Sequence, residues 1–188
     1  MNPTPTFRTG LLGEIPNMRA FALSLTGKAD RADDLVQETL MKAWAAHQSF
    51  VEGSNMRAWL FTILRNVYFT ELRRKRREVE DVEGQHAAAI AVAGEQSAHL
   101  DMSDFQIALA RLPPDQREVL TLVGASGFSY EEAAEICGVA VGTIKSRLNR
   151  ARARLGMILS IGHVSDIGPD RATLAATSPP VPPGHAVI

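Results

Sequence analysis

Apolar residues recur along most of the chain at three- and four-residue steps, the period of a helix that buries one face. Between Asp30 and His47 the stripe is Ala32, Leu35, Val36, Leu40, Ala43 and Trp44. In the next stretch it is Met56, Trp59, Leu60, Ile63, Leu64 and Val67, and both tryptophans read as core. The segment between the two stripes, Phe50 to Asn55, reads as a turn, with Ser54 or Asn55 as the N-cap of the second helix. No period-two alternation of useful length appears, so the predicted fold class is all-α.

Breakers and composition divide this helical pattern into two small domains, 10–77 and 104–160. The 78–103 stretch is acidic, contains the run Ala87 to Ala93 between Gly84 and Gly94, and holds no aromatic residue, so it reads as a flexible acidic linker. The 161–188 tail carries Pro169, Pro179, Pro180, Pro182 and Pro183 and reads as disordered.

Charge changes the picture more than length does. Over 188 residues the formal net charge is −1, which taken whole argues against a polyanionic partner. Resolved by segment, it is a cancellation. Arg57 to Arg77 holds seven basic residues against Glu71 alone, a net of +6, and Thr143 to Arg154 holds five basic residues and no acid. Between them, Glu78 to Asp104 holds seven acids and no Lys or Arg.

The second basic block belongs to a helix-turn-helix, SYEEAAEICGVAVGTIKSRLNRARARL. Ser129 and Glu132 have the capping-box spacing, Ala133 and Ala134 are small where two helices approach, and Gly138 sits where the turn needs positive φ. Ile144 and Leu148 mark the buried face of the second helix. Gly142, Thr143, Lys145, Ser146 and Asn149 then face outward, where a recognition helix meets base edges, and Arg147, Arg150, Arg152 and Arg154 suit phosphates or further bases.

The first basic block, MRAWLFTILRNVYFTELRRKRR, carries Phe61, Tyr68 and Phe69 off its core stripe, followed by five consecutive basic residues. Aromatics among cations suit single-stranded nucleic acid. Equally, Phe61 and Tyr68 can complete a core while the terminal cations complement the helix dipole. Upstream, Asp34, Gln37 and Glu38 share one polar face, a solvated or protein-binding surface rather than a metal site.

Other chemistry is not indicated. Cys137 is the single cysteine and the five histidines are scattered, so neither a disulfide framework nor a metal site is expected. No nucleophile motif or phosphate-binding glycine loop is present, so no catalytic residue, cofactor or enzymatic activity is expected. No apolar run approaches the roughly 20 residues that span a bilayer, and the N-terminus lacks the order of a secretory signal, so the expected setting is the cytoplasm without membrane insertion.

The order DDLVQETLMKAW, MRAWLFTILRN…LRRKRR and VGTIKSRLNRARARL resembles the extracytoplasmic-function (ECF) sigma factors of the sigma-70 family over nearly all of residues 10–160, and is most similar to the EcfG general stress response type. The resemblance implies a factor that binds core RNA polymerase, recognises promoter −35 and −10 elements and promotes transcription initiation. It implies that Asp34, Leu35, Gln37 and Glu38 dock on polymerase. It implies that the 10–77 domain, of sigma region 2 type, binds and melts the −10 element through Ser54, Asn55, Arg57, Arg65, Tyr68, Arg73, Arg74 and Arg76, with Phe50 to Met56 holding a flipped base. The 104–160 domain, of region 4 type, would read the −35 element with Lys145, Ser146, Asn149 and Arg150, aided by Gly142, Thr143, Arg147 and Arg152; Lys145 stands where many relatives carry Arg. The linker would pass near the polymerase active-site channel, its acids mimicking nucleic acid. The implied regulator is a NepR-type anti-sigma factor, itself titrated by a PhyR-type regulator. Competing readings are a helix-turn-helix regulator with a sensor domain, or a sigma-like mimic that directs no transcription.

Overall fold

The computed structural model describes residues 4–82 and 102–159, and every regular element among them is helical. The central part of the linker and the whole Pro-rich tail, on which flexibility and disorder were expected, lie outside the described residues. The first domain is built from α1 (Pro5–Gly13), α2 (Ile15–Thr26), α3 (Ala29–Ala45) and the long α4 (Met56–Val82). The second comprises α5 (Met102–Ala110), α6 (Pro114–Leu120), α7 (Tyr130–Cys137) and α8 (Val141–Ile158).

Local chemistry sets most of these boundaries. Thr4 Oγ1 accepts the Phe7 N–H at 3.2 Å and starts α1. Asn55, rather than Ser54, caps α4: its Oδ1 accepts the Ala58 N–H at 3.1 Å, while Ser54 Oγ donates back to the Val51 carbonyl. α6 opens beside Pro113 and runs into a wider π-turn, Thr121–Ala125, closed by the Ser126 N–H on the Thr121 carbonyl at 2.8 Å. α1 and α2 precede the first stripe legible in the sequence, and α4 continues past residue 77 to Val82.

The first core forms where α2, α3 and α4 bring together Met18, Phe21, Leu25, Ala32, Leu35, Leu60, Phe61 and Leu64. Phe21 and Phe61 stack with centroids 4.8 Å apart, a pair geometry worth about 0.5–1.5 kcal/mol beyond its buried area. Phe61 therefore completes the core, the second of its two readings. Trp59 packs against Phe7 and Phe50, but Trp44, expected in the core, is 42 % exposed. It lies at the last turn of α3, where the stripe has drifted off the face that meets α4.

In the second domain Leu112, Val119, Leu122, Ile136, Ile144, Leu148, Ala151 and Leu155 fill the interior. The two domains also pack on each other, α4 against α7 and α2 against α5 and α6. Phe128 meets Phe61 edge-on at 5.1 Å, joining the two apolar clusters.

Candidate nucleic-acid interface

The helix-turn-helix forms as its sequence dictates. Ser129 Oγ accepts the Glu132 N–H at 3.1 Å while Glu132 Oε2 accepts the Ser129 N–H at 2.9 Å, a complete capping box at the start of α7. At the other end Gly138 adopts φ 64°, a left-handed conformation that costs an L-residue roughly 1–2 kcal/mol. The Val139 N–H then reaches back to the Ala134 carbonyl at 3.0 Å, and the chain turns into α8. Ala133 and Ala134 are both buried, letting the two helices approach.

α8 sorts its side chains by direction. Ile144, Leu148, Ala151 and Leu155 are buried, and Gly142, Lys145, Ser146, Asn149 and Arg150 are exposed on the opposite side. Thr143, Arg147 and Arg152 sit at the margins. Arg147 Nε lies 3.3 Å from Asp115 Oδ2 near the start of α6, so its charge is shared with the scaffold. Lys145 Nζ hangs 5.8 Å over the Tyr130 ring centroid. The exposed set combines Lys, Asn and Arg, the side chains that pair with guanine and adenine edges, along a helix without an acid.

The residues of the first basic block separate into two groups. Arg73, Arg74 and Arg76 are exposed toward the C-terminal end of α4, with Arg74 paired to Glu78 at 3.3 Å. Asn55, Arg57, Arg65 and Tyr68 are instead engaged at the domain junction. Asn55 Nδ2 donates to Glu132 Oε1 at 3.0 Å. Arg57 lies over the Phe61 and Phe128 rings, 5.6 and 5.2 Å from their centroids, and 3.7 Å from Glu14. Arg65 Nε meets Glu118 Oε1 as an ion pair at 2.5 Å, and its guanidinium also covers the Phe69 ring. Tyr68 donates its hydroxyl to the Leu25 carbonyl at 3.1 Å, and burial pushes its pKa up.

Two buried charges complete the junction, and neither has a local sequence signal. Glu118 is fully buried; desolvation raises its pKa, an effect that Arg65 partly opposes. Arg117, the preceding residue, donates to the carbonyls of Leu25 at 2.7 Å, Ala110 at 2.6 Å and Leu112 at 3.0 Å. It thereby ties the end of α2 to the end of α5. Beside Glu118 the buried Cys137 thiol is pushed up to about 12, mainly by desolvation.

A third surface lies on α3. Asp34 and Gln37 are exposed, and Glu38 is half-exposed and paired with Lys42 at 3.4 Å. Leu35 is 3 % exposed and points into the core, so it supports this surface from beneath. Glu38, Lys42, Asn66, Thr70, Glu71 and Arg74 rim a groove between α3 and α4. Among the described residues no cluster of His, Cys, Asp and Glu could hold a metal, and no helix is long and apolar enough to cross a membrane.

Known proteins share this arrangement. The sigma-70 region 2 family matches residues 14–78, and the sigma-70 region 4 family matches residues 104–155. The chain is 57 % identical over 167 residues to the ECF RNA polymerase sigma factor EcfG of Rhodopseudomonas palustris, covering 89 % of this chain and 92 % of that one. It is 38 % identical over 126 residues to the ECF sigma factor SigC of Mycobacterium tuberculosis, 66 % of this chain and 68 % of that one. Among solved structures it is similar to the sigma factor RpoE of Bartonella quintana, crystallised with the anti-sigma factor NepR. There the TM-score is 0.74 at 52 % identity, over 85 % of this chain and 100 % of that one.

Proposed function

The chain belongs to the ECF RNA polymerase sigma factors, with sigma-70 regions 2 and 4, and from that premise we propose how its surfaces divide the work of initiation. The exposed face of α3, Asp34, Gln37 and Glu38 over the buried Leu35, docks on core polymerase. Lys145, Ser146, Asn149 and Arg150 of α8, flanked by Gly142, Thr143, Arg147 and Arg152, read the −35 element in the major groove. Ser54, Asn55, Arg57, Arg65, Tyr68, Arg73, Arg74 and Arg76 take the −10 element, where extruding a base costs about a few kcal/mol that a pocket and cations must offset. A NepR-type anti-sigma factor restrains the protein until a general stress response releases it, as the likeness to RpoE crystallised with NepR supports. The family consists of initiation factors rather than enzymes, and its members act with RNA polymerase in the cytoplasm.

The observation that carries this reading is the outward face of the first half of α8, where Lys145, Ser146, Asn149 and Arg150 are exposed, held by a helix-turn-helix whose first helix carries a complete capping box. Run-off transcription tests it. The protein added to core polymerase should yield transcript from a promoter with a GGAAC-type upstream element. Lys145→Ala and Arg150→Ala should reduce that transcript while leaving polymerase binding intact. Duplex binding without transcript would indicate an ordinary regulator, and loss of polymerase binding in the α8 variants would contradict the assignment.

A further inference from the structure

The segment between α3 and α4 that would hold a flipped base, residues 50–56, has no interior of its own: Val51, Glu52, Gly53, Ser54 and Asn55 are all exposed. Its two apolar ends, Phe50 and Met56, both rest on α1, a helix that stands ahead of the region 2 match at residue 14. Thr4, Phe7, Gly10 and Glu14 recur at three- and four-residue steps along α1 and its caps, hence on one face. Each of them meets the segment or a residue beside it. Thr4 Oγ1 donates to Glu52 Oε1 at 3.0 Å. The buried Phe7 ring stands edge-on to His47, Phe50 and Trp59, with centroids 6.3, 5.6 and 6.0 Å away. Gly10 brings α1 so near that a Cβ there would stand 2.7 Å from Met56 Sδ. Glu14 Oε2 lies 3.7 Å from Arg57 Nε.

We propose that α1 is a brace for the −10 specificity segment, in which Phe7 and Thr4 are positioning residues that set how residues 50–56 meet the flipped base. The proposal rests on the sigma factor reading and adds to it residues that touch no DNA and lie outside the matched region.

A site that reads a base must hold its groups within about 0.5 Å, and sites on loops are held less precisely than sites on helices. An exposed segment therefore needs support from outside. Phe7, Phe50 and Trp59 close a triangle of rings, the third side being 5.2 Å between Phe50 and Trp59. Without Phe7 the Phe50 ring keeps only Trp59 and can pivot, carrying Val51 to Asn55 with it. Packing alone would bury this face of α1; the polar links at its two ends, Thr4 to Glu52 and Glu14 to Arg57, also fix which way it lies.

Holoenzyme reconstituted from core polymerase and full-length variants tests this by run-off transcription at limiting promoter. The templates carry the preferred −10 element and each single-base change in it. The readout is the ratio of transcript from the preferred template to that from the least tolerated one. A variant that merely folds or binds polymerase less well lowers both transcripts together and leaves the ratio alone. Phe7→Ala should lower the ratio about tenfold, near the low end of what one good base contact contributes. Phe7→Leu, which keeps the bulk without the ring, should lower it by less. Thr4→Asp still caps α1 but sets a second carboxylate against Glu52, and should lower the ratio about threefold, the scale of an exposed charge contact. Thr4→Ser keeps the hydroxyl, and Leu12→Ala changes an exposed side chain of α1; both should hold the wild-type ratio. If Phe7→Ala does not fold, Phe7→Leu and Thr4→Asp decide the matter. An unchanged ratio in those variants, or one that falls as far in Leu12→Ala, overturns the brace. Wild-type transcript with unchanged ratios leaves the initiation-factor reading standing and removes only the brace, whereas no transcript from the wild type removes both.

Discussion

Replacing Arg117 by alanine removes a guanidinium that donates to three main-chain carbonyls, two within the second domain and one in the first. Each stranded carbonyl costs about 1–3 kcal/mol. Leu25 keeps one donor, the Tyr68 hydroxyl, so its share is small. Ala110 closes α5 and Leu112 follows it just before Pro113, which has no N–H to offer in exchange. Water entering the vacated space offsets part of the loss, so the low end applies to these two, about 2 kcal/mol in all. A domain of this size holds only a few kcal/mol at roughly 0.05–0.15 kcal/mol per residue, so the loss brings the second domain close to unfolding. Urea titration separates the domains optically, because both tryptophans, Trp44 and Trp59, lie in the first. Circular dichroism of Arg117→Ala should show an early transition that tryptophan fluorescence does not follow. Arg117→Lys keeps the charge but not the rigid fork and should recover only part of the loss. A dichroism curve for Arg117→Ala within about 0.5 kcal/mol of wild type, the range of an ordinary surface substitution, would refute the bridging role.

Further outcomes follow from the same contacts. Leu148→Ala should cost the second domain about 2–5 kcal/mol in denaturant titration, as a fully buried leucine does, and so weaken upstream-element binding without touching DNA. Ser129→Ala breaks half of the capping box and should cost about 1 kcal/mol by the same measurement. Because folding raises the Glu118 pKa, the native state holds its proton more tightly than the unfolded chain, and stability should fall as pH rises from the ordinary carboxylate range through the folded value; Glu118→Gln should remove that slope in pH-dependent melts. Cys137, buried and with its thiol pushed up to about 12, should resist alkylation at neutral pH in the native protein and react promptly in denaturant.

The readable parts of this chain were those in which one residue answers a neighbour in sequence. Ser129 and Glu132 form their box, Gly138 takes positive φ, and Ile144 with Leu148 assigns the two faces of α8 correctly. The junction was illegible for a physical reason. Arg117 and Glu118 are adjacent charges in a seven-residue helix, a pattern that ordinarily means a solvated surface; besides the nearby Ala110 and Leu112 carbonyls, their partners come from α2 and α4, distant in sequence. The basic block on α4 showed its charge, but not that Arg57 and Arg65 turn toward the second domain while Arg73, Arg74 and Arg76 remain exposed. Trp44 failed for a related reason, since periodicity locates a face but not where the opposing helix ends.

The tether between Arg147 and Asp115 limits which letters of α8 are open to change. Inward positions are held by packing and Arg147 by its aspartate, whereas Lys145, Ser146, Asn149 and Arg150 project from the scaffold. On the proposed reading, in which those four meet the −35 element, promoter preference can be redesigned there with little penalty to folding, and a library restricted to them would explore new promoter sequences on an unchanged chassis.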